Sequence, residues 1–372
     1  MTSLWLDGAA SRARPPLDAD ATADVAIVGG GIAGIATAYA VARGGASAIV
    51  LERGELADGA SGRNAGFVLG GASENYVTAC HRYGPARAIR VFRFTYTNRE
   101  LMRSAIRANG IDCESAWNGS DQLAGDDAEW LEIEESARLL APHGVRVEVD
   151  TTTRTARYED DGELHPVRFT RGLADAAERL GVRIHTRSAV LACAPDRIRT
   201  AAAEVGAGAV VLCTNAYTRH LAASRVRPVR GQMCATAPLE TRLFPRPTYA
   251  HRGFRYWRQT ATGRVLVGGW RDTDFDSEVG EDDGTSDAIQ GRLDAFLRER
   301  GVTAPVTHRW GGTMGFSHDG LPYIGRAADG IYRCGGFTGH GNGFALAAGE
   351  LIAALIRDGR HRDADLFDPD RE

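Results

Sequence analysis

One short stretch near the start of the chain constrains the fold more than any other. An apolar run at residues 24–28 ends in GGGIAG at residues 29–34, and small or apolar residues then recur at helical spacing as far as residue 43. A second apolar run at residues 47–51 ends in Glu52. The pattern predicts a strand, a helix and a second strand parallel to the first, joined by a right-handed crossover.

The glycine spacing is typical of a dinucleotide-binding turn. The first glycine allows the tight bend, the second lets the backbone approach a pyrophosphate, and the third lets helix and strand pack closely. The helix N-terminus offers unpaired N–H groups and a positive dipole end to the phosphates. Glu52 can accept hydrogen bonds from ribose hydroxyls, and its charge disfavours a 2′-phosphate. The residues predicted to contact the dinucleotide here are Gly29, Gly31, Ile32, Ala33, Gly34 and Glu52.

Two further glycine-rich loops indicate which dinucleotide binds. Residues 59–66 read GASGRNAG, and residues 335–343 read GGFTGHGNG at the start of the last predicted helix. A flavin must be held beyond its pyrophosphate, whereas a nicotinamide dehydrogenase does not need two such distant loops. A helix N-terminus near residues 339–344 would also stabilise the negative charge that develops on a flavin during reduction. The loops favour a flavin, and a nicotinamide-dependent dehydrogenase is kept as an alternative.

Charge and composition narrow the partners and the chemistry. The net charge is −4 without a block of like charges, so the chain has no electrostatic footprint for nucleic acid or an anionic membrane. It contains no lysine, which excludes a lysine-dependent mechanism, and its 6 cysteines form no CxxC pair, so no metal site is predicted. We recognise no signal peptide and no membrane span. A cytoplasmic protein with small-molecule partners is expected.

The rest of the chain indicates a second lobe. Its 372 residues exceed the size at which a single core stops growing, roughly 250 to 300 residues. Candidate strands at 231–237, 254–259 and 265–270 suggest an antiparallel sheet, because a short turn at 260–263 joins two of them. A predicted helix at 286–300 follows.

Together these motifs resemble the FAD-dependent glycine/D-amino-acid oxidase family. The similar stretches include DVAIVGGGIAGIATAYAVARGG, VLERGELADGASGRNAG, RYWRQTATGRVLVGGWRD and CGGFTGHGNGFALAAGELIAALI, and they span nearly the whole chain. The loops at 61–66 and 336–344 look most like the γ-glutamylputrescine oxidase and sarcosine oxidase-like branch. The resemblance implies an α/β fold with a discontinuous Rossmann-type FAD-binding domain (1–75, 155–225 and 305–372) and a substrate domain on a mixed, largely antiparallel sheet (76–154 and 226–304).

The resemblance also implies a reaction and a set of cofactor contacts. Enzymes of this kind transfer a hydride from the carbon next to an amine nitrogen to flavin N5, and water hydrolyses the imine. Dioxygen, reduced to H2O2, or another electron acceptor then reoxidises the flavin. The further contacts implied for FAD are Arg53, Ser61, Gly62, Arg63, Asn64, Ala65, Val190, Thr214, Gly336, Gly339, His340, Gly341, Asn342 and Gly343.

Three departures from the family refine these expectations. Sarcosine oxidases hold FAD through a cysteine in the segment that matches residues 318–324, where this chain has none, so noncovalent FAD is expected. They also place a lysine over the flavin where this chain has Val267, which keeps a dehydrogenase with another acceptor as an alternative. Glycine and D-amino-acid oxidases bind the substrate carboxylate with an arginine that aligns with Met314. An amine, or an N-substituted amino acid whose carboxylate lies elsewhere, is therefore the expected substrate.

Candidate site residues come from the second lobe and the glycine-rich loops. Tyr256 and Trp257 alternate on one predicted strand, so one should face the flavin and the other the opposite side, with core packing as the alternative for both. Tyr256, His318 and His340 are the candidate catalytic residues, although His340 is favoured more as a loop-shaping residue beside FAD than as a base. The residues predicted to bind substrate are Arg63, Arg255, Trp257, Arg271 and Met314. A flavin subunit of a hetero-oligomeric dehydrogenase is a further alternative.

Overall fold

The computed structural model describes residues 2–9 and 11–371. The α-helices in this part of the chain are α1 (Ile32–Arg43), α2 (Tyr76–Tyr83), α3 (Pro85–Asn109), α4 (Asp127–Leu140), α5 (Pro166–Arg179), α6 (Asp287–Glu299) and α7 (Gly341–Asp358). The strands are β1 (Ala21–Val28), β2 (Ala48–Leu51), β3 (Phe67–Val68), β4 (Ser120–Leu123), β5 (Val147–Asp150), β6 (Thr155–Tyr158), β7 (Gly162–Glu163), β8 (Arg183–His185), β9 (Ala192–Ala194), β10 (Arg197–Arg199), β11 (Glu204–Leu212), β12 (Arg227–Pro238), β13 (Thr248–Ala250), β14 (Arg255–Gln259), β15 (Arg264–Gly269), β16 (Val306–Phe316), β17 (Tyr323–Arg326) and β18 (Tyr332–Gly335).

The first sheet contains the predicted strand–helix–strand unit. Its order is β17-β18-β11-β1-β2-β8, with β1 parallel to both β11 and β2. All of β2 and the last four residues of β1 are buried, as expected for parallel strands covered on both faces. Helices α1 and α7 pack against each other beside this sheet, and both contribute to the same apolar core. The prediction of a Rossmann-type α/β unit is confirmed.

The turn between β1 and α1 requires glycine for steric reasons. Gly29 has a φ of +111°, and a Cβ there would lie 2.8 Å from the carbonyl oxygen of Cys213. A Cβ on Gly34 would lie 1.8 Å from the carbonyl oxygen of Gly29. Strand end and helix start therefore approach more closely than any side chain would allow.

The second sheet is mixed and largely antiparallel, as predicted. Its order is β16-β12-β15-β14-β13-β4-β6-β5, and β13 with β4 is a parallel pair. Helix α6 packs on one side of it. The other side of the sheet shares an apolar core with residues of the dinucleotide-binding half, including Trp5 and Phe67. One side of this sheet therefore faces the dinucleotide-binding half.

The structure adds elements that the sequence pattern did not predict. Strands β13 and β16 both belong to the second sheet, and β6 does too. The ranges 155–225 and 305–372 were expected to belong to the FAD-binding domain, but they begin with β6 and β16, which are strands of the second sheet. We therefore propose domain boundaries near residues 159 and 317 in place of 155 and 305. Of the helices in the described residues, none has the length and apolar character needed to cross a membrane.

Candidate active site

A cavity of about 710 Å³ is lined by residues of both halves of the protein. One end lies at the carboxyl ends of β1, β2 and β11, where Gly29, Glu52 and Thr214 contribute to the wall. The other end is lined by Tyr256 of β14 and Met314 of β16. Ligands of open parallel sheets bind at the carboxyl ends of the strands, so the first end is suited to a dinucleotide.

The dinucleotide end is organised by Glu52 and Ser61. The carboxylate of Glu52 accepts hydrogen bonds from the N–H groups of Gly30 (2.6 Å) and Gly54 (2.8 Å). The hydroxyl of Ser61 accepts one from the N–H of Ile32 at the first position of α1 (2.9 Å). These contacts fix the turn, the carboxylate and the helix start relative to one another.

The structure brings most of the predicted FAD-binding residues together. Those that line the cavity are Gly29, Gly31, Ile32, Ala33, Glu52, Arg53, Ser61, Arg63, Asn64, Ala65, Val190, Thr214, Gly339, His340, Gly341 and Asn342. Gly34, Gly62, Gly336 and Gly343 do not line the cavity. A Cβ on Gly62 would lie 2.2 Å from the carbonyl oxygen of Ala57, so this glycine permits close packing of the loop.

The opposite end of the cavity has aromatic walls. The ring centroids of Tyr249 and Tyr256 lie 5.8 Å apart, and the imidazole of His340 stacks on Tyr249 with centroids 6.0 Å apart. All three residues line the cavity. Within the described residues, neither tyrosine hydroxyl has a hydrogen-bond partner in the protein, which leaves both available to a ligand.

Arg271 brings a positive charge to this aromatic end. Its guanidinium carbon lies 4.5 Å from the ring centroid of Phe254 and 4.7 Å from that of Phe316, and all three residues line the cavity. In the described part of the chain, the guanidinium makes no salt bridge and no hydrogen bond. Burial lowers the pKa of Arg271 because the charged form loses water contacts. A largely desolvated cation without a protein partner is unfavourable unless a ligand supplies an anion.

His340 is held as a neutral imidazole in one tautomer. Its Nδ1 lies 3.1 Å from the carbonyl oxygen of Thr338, and because a carbonyl only accepts, Nδ1 must carry the hydrogen. Burial lowers the pKa of His340, which favours the uncharged ring. The lone pair is therefore on Nε2, which can accept a proton from a ligand.

Two residues considered at the sequence level lie on the far side of the second sheet. Trp257 packs against Phe296 of α6 with ring centroids 4.7 Å apart, and Val267 belongs to the same buried core. Neither lines the cavity. Since Tyr256 does line it, the strand alternation places Tyr256 towards the cavity and Trp257 in the core.

Two other predicted site residues, Arg255 and His318, do not line the cavity. Arg255 makes a 2.9 Å hydrogen bond with His251 and lies over the Trp270 ring, away from the cavity wall. His318 is exposed, and its Nδ1 forms a 2.8 Å hydrogen bond with the Tyr323 hydroxyl outside the cavity.

Arg63 and Met314 do line the cavity. Arg63 forms a 3.2 Å ion pair with Asp283, so its charge has a protein partner, unlike that of Arg271.

Sequence reasoning missed three aromatic residues of this end, Tyr249, Phe254 and Phe316. Tyr249 lies on a strand of 3 residues, which is too short to leave a periodic pattern. The available signals were the density of aromatic residues between positions 249 and 257 and, for Phe254, its place on the predicted strand at 254–259, where alternation puts it on the same face as Tyr256.

A Rossmann-type half joined to a largely antiparallel half, with a cavity lined by both, is the arrangement expected of a flavin-dependent oxidoreductase. The chain matches the DAO family, described as FAD dependent oxidoreductase, over residues 24–355. It belongs to this family, and its cofactor is FAD. The close-packed glycines and the acceptor carboxylate of Glu52 fit that cofactor.

Individual relatives and solved structures agree with this membership. Gamma-glutamylputrescine oxidoreductase of Escherichia coli K12 is 29% identical over 99% of this chain and 91% of its own length. Glycine oxidase of Bacillus licheniformis is 24% identical over 90% of this chain and 92% of its own. The structure resembles L-proline dehydrogenase from P. horikoshii (TM-score 0.81, 19% identity, 94% and 97% of the two chains) and glycine oxidase from Geobacillus kaustophilus (0.79, 20%, 95% and 99%). The solved structures support the fold.

Proposed function

We propose that this enzyme oxidises the C–N bond of a substrate with a carboxylate near its amine, most simply an N-substituted amino acid. The observation that carries the proposal is Arg271, a cation in the cavity wall with no partner in the described residues. The E. coli relative is named for a glutamyl amine and the B. licheniformis relative for an amino acid, which supports a substrate of this class. Bound FAD supplies the hydride acceptor at N5.

Arg271 binds the substrate carboxylate. A guanidinium matches a carboxylate with two parallel charge-assisted hydrogen bonds, which fix orientation as well as affinity. The rings of Phe254 and Phe316 keep water from the guanidinium and hold its plane. The hydroxyl groups of Tyr249 and Tyr256 are further donors to the bound substrate. Together they orient the C–H bond that is to be broken.

His340 accepts the proton that the substrate ammonium must lose. Oxidation of the C–N bond requires the neutral amine, since its nitrogen lone pair stabilises the cation that forms as the hydride leaves. The lone pair of Nε2 is available because Nδ1–H is bound to the Thr338 carbonyl. Water then hydrolyses the imine.

Dioxygen is the proposed final electron acceptor, with H2O2 as product. A dehydrogenase that uses another acceptor, alone or as the flavin subunit of a hetero-oligomer, is the second candidate. The complete absence of lysine favours it, because the lysine that sarcosine oxidases place over the flavin has no counterpart in this chain. Oxygen consumption with stoichiometric H2O2, compared with reduction of an artificial acceptor, distinguishes the two.

Arg271→Met tests the carboxylate contact. Loss of a bidentate charged pair of about 3 kcal/mol should reduce kcat/KM for an N-alkyl amino acid on the order of 100-fold. The same variant should have little effect on the matched N-alkyl amine without a carboxylate. The control is Arg309→Met, which removes a half-exposed arginine of β16 that is paired with Asp294. It should change kcat/KM for neither the acid nor the amine. Equal losses for the acid and the amine in Arg271→Met would refute the assignment.

A further inference from the structure

The cavity-lining loop at residues 60–66 is held from behind by buried side chains. Five consecutive carbonyl groups of this loop accept hydrogen bonds from four distant side chains, one of which, Arg258, binds two of them. The bonds are Ser3 Oγ to Gly62 O (2.5 Å), Trp310 Nε1 to Arg63 O (2.9 Å), Trp5 Nε1 to Asn64 O (2.6 Å), and Arg258 Nη1 to Ala65 O (3.2 Å) and Gly66 O (3.3 Å).

The four donors are themselves inaccessible. Ser3 and Trp310 are 0% exposed, Trp5 is 2% exposed and Arg258 is 1% exposed. None of them lines the cavity. Their influence on a bound cofactor must therefore pass through the loop whose carbonyl groups they bind.

The loop leaves two adjacent donors for a ligand. The N–H groups of Asn64 and Ala65 have no hydrogen-bond partner within residues 2–9 and 11–371, and both residues line the cavity. The Asn64 side chain is fully used, because its Nδ2 donates to Ala60 O and Ser61 O while its Oδ1 accepts from Gly66 N and from Asn342 Nδ2. It also ties the loop to the first turn of α7.

We propose that Ser3, Trp5, Trp310 and Arg258 are positioning residues for FAD. By binding the carbonyl groups of residues 62–66, they hold the N–H groups of Asn64 and Ala65 as fixed donors to the cofactor. Donors that are already oriented do not have to be ordered when the ligand binds, so they contribute more to affinity and to stabilisation of developing negative charge. The segment before β1 is thus part of the flavin site, although it contacts no ligand.

Single-donor variants of the holoenzyme test this inference. Trp5→Phe and Trp310→Phe each keep an aromatic ring and lose the N–H, and Ser3→Ala removes one hydroxyl. We expect each to weaken FAD binding about tenfold, because a loop carbonyl without its buried donor turns to other partners in the apoprotein, and the loop must then be reordered when FAD binds. A tenfold preferential loss of the reduced, more negative flavin would lower the two-electron reduction potential by about 30 mV. Trp130→Phe, at a half-buried tryptophan of α4 away from the cavity, is the control.

Fluorescence of released FAD gives the dissociation constant, spectroelectrochemistry gives the potential, and urea unfolding of the apoprotein gives the stability of each variant. Unchanged FAD affinity and potential in Ser3→Ala and Trp5→Phe overturn the proposal, even when the apoprotein is less stable. Ser3→Ala decides the matter if either tryptophan variant does not fold. None of these three measurements requires substrate, so failure of this inference is distinguishable from failure of the proposed amine oxidation.

Discussion

Arg258→Met removes the cation from an ion pair inside the protein. Arg258 Nε lies 2.9 Å from Glu163 Oε2, and the two side chains are 2% and 4% exposed. The two atoms are close without the alignment of a hydrogen bond, and the guanidinium instead donates through Nη1 to the carbonyl groups of Ala65, Gly66 and Leu164. The substitution leaves the Glu163 charge buried and three carbonyl groups without this donor.

The size of the loss follows from what remains near Glu163. Removing one member of a buried ion pair typically destabilises a protein by about 3 to 5 kcal/mol. Arg242 lies 3.7 Å from Glu163 but is 42% exposed, so it compensates only part of the charge. We therefore expect a loss of about 3 kcal/mol in the free energy of unfolding, a large fraction of the roughly 5 to 15 kcal/mol of a typical domain.

Urea unfolding at pH 7 and pH 5 measures this loss. Burial raises the pKa of Glu163, and removal of Arg258 should raise it further. The native variant then takes up a proton that the unfolded chain does not, so the loss should be smaller at pH 5 than at pH 7. Adding Glu163→Gln to Arg258→Met should recover part of the stability at pH 7. A loss below about 1 kcal/mol, or the same loss at both pH values, would refute this reasoning.

Three further predictions concern pH and packing. Because burial lowers the pKa of His340, kcat/KM should fall on the acid side with a pKa below the ordinary 6.5, and in His340→Gln this limb should be replaced by one at the higher pKa of the substrate ammonium; a limb that stays at the wild-type pKa in His340→Gln contradicts the proton-acceptor role. Burial lowers the pKa of His165 to about 4, so between pH 6.5 and 4 the unfolded chain binds a proton that the native protein does not. The free energy of unfolding should therefore fall by up to about 3 kcal/mol as the pH drops through this window, and His165→Asn should flatten the curve in urea titrations; an unchanged curve counts against it. Gly34→Ala should abolish FAD binding, because its Cβ would lie 1.8 Å from the Gly29 carbonyl oxygen, while Gly291→Ala, with open space around it on α6, should bind FAD normally; FAD absorbance after gel filtration decides both.

The dinucleotide half could be predicted because its signals are local. Strand β1, the glycine turn and β2 follow one another within about 30 residues, and helix α1 was predicted at the bounds that the structure has. The glycines are required by contacts between neighbouring turns, which spacing alone reveals. The antiparallel part of the second sheet could be predicted from the candidate strands and the turn at 260–263, and the resemblance to the family added the domain arrangement.

The substrate end depends on which way strands face and how distant loops meet. Alternation along β14 predicted that Tyr256 and Trp257 point to opposite sides, but only the position of α6 shows which side is the core. Strand β16 left no pattern because Gly311 and Gly312 interrupt it, and a Cβ on Gly312 would lie 2.8 Å from the Arg63 Cβ. Closeness to the cofactor loop, rather than strand propensity, accounts for that glycine.

Long-range hydrogen bonds were beyond sequence reasoning. Trp5 and Asn64 are 59 residues apart, and Trp310 and Arg63 are 247 apart. Nothing in either tryptophan's local sequence indicates a carbonyl partner. The same holds for the two arginines at 255 and 271. Arg271 lines the cavity and has no salt bridge among the described residues, whereas Arg255 lies outside the cavity wall, 4.0 Å from Asp272.

Anaerobic titration of the purified protein with N-alkyl amino acids, followed by its visible spectrum, tests the central claim most directly. We predict flavin absorption bands that are bleached by at least one such substrate, and release of free FAD into the supernatant after acid precipitation, as expected for noncovalent attachment. A flavin spectrum that no N-alkyl amino acid or amine reduces would contradict the proposed reaction. A colourless protein that does not bind added FAD would contradict the account as a whole.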